Sequence, residues 1–426
     1  MAVTMTISTK RKASNPNFQS KKVRRLGFRR ARDTVVEKLS TEQALVSHLP
    51  VDLTMEIFAR LPAKSLAKCR CVCKQWHSLL MDSEIATKQA ILAQENPIDD
   101  KVVCFLFDSS LYKVKPYWVE DNSNIFDSNL EAAENKIALP TKNARLSHEI
   151  LGSCNGLIFL NHGIKRKRFF LFNPLTGESR HLFNLPCGDK VKTQFGFGYD
   201  SSTQDYKIIR FQTDPYILQV FSLKDNCWRS INSTIEQFPY LLEHPVAVQV
   251  CGFLHWQVIG PNPDIVLTFD LGQEKFGELI NIPKDPEEDT RIVGVGILQG
   301  CLCVTRRIGF NKSFGIWAMK KYGVAESWTK LITLKESPAF LDAYQTRYFQ
   351  LFPIRYINNG RKLILQNFNN SIIYDIEKGS YKISHNRIPI IPREEHESWL
   401  MDSGSSTLKM TSYVESLVSP NSLCRV

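Results

Sequence analysis

Leu49, Leu53, Ile57 and Leu61 recur every four residues and lay an apolar ridge along one side of a predicted helix, which Pro62 ends or kinks. A second run sets Leu66, Cys69, Val72, Cys73, Trp76, Leu79 and Leu80 at spacings of three and four. Lys68, Arg70, Lys74, Gln75, His77 and Ser78 lie between them, so this stretch is a strongly amphipathic helix. So short a segment cannot bury this much apolar surface by itself. Another domain or another protein must cover it.

From residue 101 onward the helical period gives way to short apolar or alternating segments bounded by Gly, Asn, Asp and Pro, the pattern of strands and tight turns. One element recurs: an aromatic residue, a polar turn, and a second aromatic seven positions on. Phe221 leads to Trp228, Phe269 to Phe276 and Tyr374 to Tyr381; Trp317 leads to Trp328 across a longer turn, and Phe172 opens the element with Ser179 at its end. Successive anchors at 172, 221, 269 and 317 are 49, 48 and 48 residues apart, and the step to 374 is 57, which implies an inserted loop. A further strand start precedes most anchors, after Gly156, Gly252, Gly300 and Gly360; at Asp205-Tyr206 the glycine is missing. Four short strands at this period predict a β-propeller of the Kelch type. A sandwich has no reason to repeat aromatic pairs at one interval, whereas a radial array does.

The predicted architecture is therefore multidomain. A small all-α module at 45–93 follows a tail at 1–44, and an all-β propeller at 101–418 precedes a short C-terminal tail at 419–426. Five repeats are plain between 151 and 384. Segments 101–119 and 396–418 each read as one more hairpin, and joined they would make a sixth blade closing the ring from both chain ends; a seven-bladed ring also fits.

The net charge of +11 suggests a nucleic-acid partner until it is located. Residues 1–32 hold ten basic and no acidic residues, leaving 44 basic against 43 acidic in the rest. The folded part is nearly neutral, so its partners are not expected to be nucleic acid. The tail is rich in Lys, Arg, Ser and Thr and is expected to lack structure. Its clusters Lys10-Arg11-Lys12 and Lys21-Lys22-Val23-Arg24-Arg25 resemble a bipartite nuclear import signal, with a plain solvated arm as the alternative. The expected location is nucleus, cytoplasm or both. No apolar run approaches the length of a membrane span, and the most apolar window, 292–305, reads as a buried strand pair. Eleven cysteines, an odd number without CxxC pairs, point to free, buried thiols and a reducing compartment rather than to zinc or disulfides.

Three clusters in the helical segment resemble an F-box, in order and in spacing: Leu49-Pro50-x-Asp52-Leu53, Leu61-Pro62-Ala63-Lys64-Ser65-Leu66 and Arg70-Cys71-Val72-Cys73-Lys74-x-Trp76. The resemblance implies docking on the Skp-type adaptor of an SCF ubiquitin ligase, and through it on cullin and RING subunits. It assigns adaptor contact to Leu49, Pro50, Leu53, Ile57, Leu61, Pro62, Leu66, Val72, Cys73 and Trp76. Cys69 departs from the larger apolar residue usual in the family, though a buried thiol still behaves as a small hydrophobe. SCNGLI at 153–158, LFNPLTGE at 171–178, FGFGYDSSTQDYKII at 195–209, GFLHW at 252–256 and YVESLVS at 413–419 resemble the plant F-box-associated domain. That resemblance implies that the propeller binds the target protein.

Nothing in the spacing of residues points to catalysis or to a cofactor. The nine histidines show no HxxxH or HxH cluster, and GxSxG, Walker A and HExxH motifs are missing. His255 beside Trp256 reads as a satisfied core residue rather than a metal ligand. Any ubiquitin transfer would belong to partner subunits, because the chain lacks a RING-like Cys/His array. A non-ligase scaffold and a propeller enzyme are the alternatives to the receptor reading. Target contacts are expected in the inter-strand loops 161–168, 212–216, 259–264 and 307–313, the first carrying the basic run 165–168.

Overall fold

The computed structural model describes residues 49–95, 101–119 apart from the turn 109–112, and 408–423. It also describes 148–384 apart from the loops 163–167, 183–192, 214–215, 232–240, 243–246, 260–264, 283–290, 309–312, 335–349 and 368–370. The chain divides into two compact units at Glu56/Ile57; of the first, only residues 49–56 are among those described. The basic clusters of the tail lie outside the described residues.

Four helices open the described chain: α1 (Val51–Ala59), α2 (Ala63–Cys69), α3 (Lys74–Leu80) and α4 (Ser83–Glu95). The Pro50 carbonyl accepts the first bond of α1 from the Thr54 N–H at 3.1 Å, and Asp52 places a negative charge in its first turn. Pro62 caps α2 where a missing N–H costs nothing. At α3 the Cys73 sulfur receives the Trp76 N–H at 3.4 Å, standing where an oxygen cap is usual. Arg70 closes the other end of α3, its Nη2 donating to the Leu80 carbonyl at 2.8 Å.

Five sheets each fill four ladder positions and form five blades, at 148–182, 193–230, 241–281, 291–334 and 352–384. Within a blade, successive strands are antiparallel neighbours. In the third blade the first and last positions are each broken into two short pieces, so six strands serve four positions. A further sheet joins the chain ends: Lys101–Asp108 pairs on one side with Lys113–Val119 and on the other with Leu408–Tyr413. The expectation of six or seven blades is corrected to five on this count. The two ends supply three strands rather than four among the described residues, and Pro116, which has no N–H to donate, lies in the edge strand.

The aromatic pairs that marked the repeat are third-to-fourth-strand partners. Phe221 stands opposite Trp228, Phe269 opposite Phe276 and Tyr374 opposite Tyr381, with ring centroids 5.2 Å apart in the first pair and 5.3 Å in the second. Trp317 and Trp328 are not such a pair. A register shift at Ile316/Trp317 sets Lys330 opposite Trp317, where its ammonium lies 5.7 Å from the ring, and Trp328 meets Met319.

The core lies between blades. One apolar cluster is shared by the second and third blades, a second by the third and fourth, and a third by the fourth and fifth. Each first strand packs on the next, and Leu408–Tyr413 lies beside the first strands of both the fifth and the first blade. Close approach explains Gly294, where a Cβ would sit 2.1 Å from the Leu351 carbonyl oxygen of the following blade.

Candidate functional site

Among the residues whose burial is described, the exposed large apolar side chains belong to the helical segment: Leu49, Val51, Leu53, Ile57, Val72 and Met81. Leu53 and Ile57, one turn apart on α1, are 53% and 50% exposed, and Val72 is 56% exposed. Pro50, Pro62 and Cys73 are exposed as well, while Leu61 and Trp76 are half-buried. Leu66 is 1% exposed and belongs to the inward set with Phe58, Ala59, Ala63 and Leu80. It packs the helices against one another in the chain by itself. Trp76 has a divided role, since its ring stands edge-on to Phe58 with centroids 4.9 Å apart.

The motifs SCNGLI, LFNPLTGE and YVESLVS meet at one place. Asn173, fully buried, donates from Nδ2 to the carbonyls of Ser416 at 3.0 Å and Val418 at 2.8 Å. Its Oδ1 accepts from the Leu175 N–H at 2.9 Å and from the Tyr413 hydroxyl at 2.9 Å. The Ser416 hydroxyl donates to the Asn155 carbonyl at 2.9 Å, and Gly156 leaves it room: a Cβ there would lie 2.1 Å from Ser416 Oγ. With the Thr176 N–H also donating to Oδ1 at 3.4 Å, one amide binds five groups and holds the C-terminal segment to the turns of the first blade. The chain continues past 418 in an ordered turn, with Ser419 bonded to Glu178 and Ser422 to the Ser419 carbonyl. Sequence reasoning picked out these motifs but not their meeting, because a polar hub has no periodicity to betray it.

The second and third blades are joined by a buried charge cluster. Lys207, 3% exposed, gives its three protons to Asp200 Oδ2 at 2.7 Å, the Leu271 carbonyl at 2.7 Å and Glu274 Oε1 at 2.8 Å. Arg229 donates to the far side of Glu274 at 2.9 Å. Burial pushes the Asp200 carboxyl up, but bonds from Lys207, Thr203 and Ser202 outweigh it and hold the group at about 2. A buried ammonium with every proton placed is a structural tie and has no free valence for chemistry.

His255 is a satisfied core residue between the third and fourth blades. Its Nδ1 faces the Val248 carbonyl at 3.2 Å and must carry the proton, so Nε2 accepts from the Tyr322 hydroxyl at 2.9 Å. Burial drives its pKa down to about 4, against a smaller upward pull from Val248. The unfolded chain takes up this proton below pH 6.5 while the folded chain refuses it, so the destabilisation grows as pH falls from 6.5 towards 4. Urea unfolding should lose about 2 kcal/mol more between pH 7 and pH 5 in the native chain than in His255→Gln, which keeps a donor and an acceptor in place. Equal losses in the two proteins would show that His255 is not the group responsible.

The expected burial of the free thiols holds only in part. Cys154 and Cys303 are buried, but Cys71, Cys73, Cys227 and Cys251 are exposed. Among the described residues no three His, Cys, Asp or Glu side chains are grouped so as to hold a metal ion. The four loops expected to meet a target each join the second strand of a blade to its third, so all four leave their sheets at the same end. Most of their residues lie outside those described.

A helical segment whose exposed apolar side chains await a partner, followed by a propeller tied together by internal polar bonds, defines a protein built for binding. The comparisons give the family. A family model described as F-box domain matches residues 46–88, and one described as F-box associated beta propeller domain matches residues 102–420. The F-box protein CPR1 of Arabidopsis thaliana is 30% identical over 380 residues, covering 81% of this chain and 85% of that protein. The F-box/kelch-repeat protein At3g23880 of the same plant is 23% identical over 403 residues, covering 91% of this chain and 100% of that protein. This chain belongs to the plant F-box proteins that carry an F-box-associated β-propeller. Its role is substrate recognition of the F-box kind, with the F-box for a Skp-type adaptor and the propeller for a target.

Proposed function

We propose that the chain is the substrate-receptor subunit of an SCF ubiquitin ligase, its F-box docking on the Skp-type adaptor and its propeller holding the protein to be ubiquitinated. The observation that carries this reading is that, among the residues whose burial is described, the exposed large apolar side chains lie in the F-box. Exposed Leu, Ile and Val are costly in water unless a partner covers them, and an F-box has the adaptor as that partner. The receptor contributes binding and no bond-making step; ubiquitin transfer falls to the cullin-bound subunits. Co-expression with a Skp-type adaptor and cullin should give one complex that survives size-exclusion chromatography, with the chain at one copy per adaptor. Separate elution of the chain from a folded adaptor would end the reading.

The basic clusters of the tail are proposed as a nuclear import signal. Replacing Lys10, Arg11, Lys12, Lys21, Lys22, Arg24 and Arg25 by serine should move a fluorescent fusion from nucleus to cytoplasm without changing its melting midpoint. An unchanged distribution returns the tail to a solvated arm.

A further inference from the structure

The segment 413–418 has two sides. Tyr413, Ser416 and Val418 turn to the first blade, as their bonds with Asn173 and Asn155 show. Glu415, between them, turns to the helices: its carbonyl accepts from Gln89 Nε2 of α4 at 3.4 Å, and its carboxylate lies 3.4 Å from Lys64 Nζ of α2. The segment leaves the strand at Tyr413 and runs without regular structure, so its successive carbonyls and side chains reach both neighbours.

Part of α4 carries small, buried side chains. Ala86 and Ala90, one turn apart, are buried with Ile85, Thr87 and Gln89. Gln89 is 2% exposed, so its amide has left water to meet this segment. The Lys64 side chain is 63% exposed and its pair with Glu415 is weak; the buried Gln89 bond is the firmer of the two. Two helices anchored on one residue are restrained in rotation as well as in distance.

We infer that residues 413–418 form a strap that positions the adaptor-docking helices on the propeller, with Glu415 and Gln89 as positioning residues. The inference rests on the receptor reading for its purpose: a fixed direction from the adaptor to the bound target. Neither Lys64 nor Gln89 belongs to the set assigned to adaptor contact, so both can be changed without touching that surface.

The test compares the native full chain with Lys64→Ala/Gln89→Ala, alone and bound to a Skp-type adaptor. Amide exchange in 83–95 should quicken at least tenfold in the variant while the first blade keeps its protection. Small-angle scattering of the adaptor complex should show a larger radius of gyration, with adaptor affinity unchanged. Glu415→Lys keeps the carbonyl that Gln89 reaches but sets two lysines against each other, so it should loosen the helices less, and adding Lys64→Glu should restore the protection. A loss of local stability by itself would not be repaired by reversing both charges. Unchanged exchange and scattering in the variants would overturn the strap. Failure of the native chain to bind the adaptor would count against the receptor reading instead, and exchange in the free chain would still decide the strap.

Discussion

Ending the chain after Leu400 should abolish cooperative melting of the propeller and leave it aggregated or open to protease. The cut removes Leu408–Tyr413, the strand bonded to Lys101–Asp108, and with it four buried apolar side chains: Tyr413, Val414, Leu417 and Val418. At about 1.5–3 kcal/mol each, their burial is comparable to the whole stability of a domain, about 5–15 kcal/mol. Asn173 would keep its place in the first blade with its amide facing no carbonyl, a further cost of about 1–3 kcal/mol. The F-box would not be spared, because Gln89 loses the Glu415 carbonyl. Ending the chain after Leu423 makes the control, since it keeps the strand, the strap and the turn at Ser419. A sharp, unshifted transition in the shorter protein would show that residues 401–426 are dispensable.

How much could be read beforehand depended on whether a residue's role leaves a period. The seven-residue aromatic step did, because a tight turn between two antiparallel strands sets the two rings directly opposite each other. It failed at Trp317 and Trp328, where the longer connection contains the turn Ala325–Ser327 and a bulge shifts the register. The chain-end sheet draws its strands from two distant stretches of the sequence, so its strand number could not be counted from the repeat.

The F-box shows a different limit. Spacing identified the apolar residues of α1 and α2 but could not say which of them face their own neighbours and which face outward. Leu66 and Phe58 close the helices on themselves, while Leu53 and Ile57 do not. Only packing decides between two apolar destinations. The polar ties were illegible for another reason. Asn173, Lys207 and His255 lie in turns and strands like many other polar residues, and what distinguishes them is a partner tens of residues away.

Leu53→Glu and Ile57→Glu should each weaken adaptor binding at least a hundredfold and leave the fold as stable as before. Both side chains are half exposed, and exposed substitutions away from caps and cores usually shift stability by no more than about 0.5 kcal/mol. In the complex the same carboxylates would lie against an apolar partner surface without a counter-charge. A cost of about 3 kcal/mol for each such buried, unpaired charge corresponds to roughly a hundredfold or more in Kd. Val72→Glu, also exposed, should act in the same direction. Trp76→Ala is the weaker experiment although aromatic anchors often dominate interfaces. Its ring packs on buried Phe58, so truncation also opens the helical core, and lost binding could then follow from lost structure. Titration calorimetry against purified adaptor, with a melting curve for each variant, separates the two effects. Full affinity in Leu53→Glu and Ile57→Glu would mean that the exposed ridge of α1 is not the surface the adaptor covers.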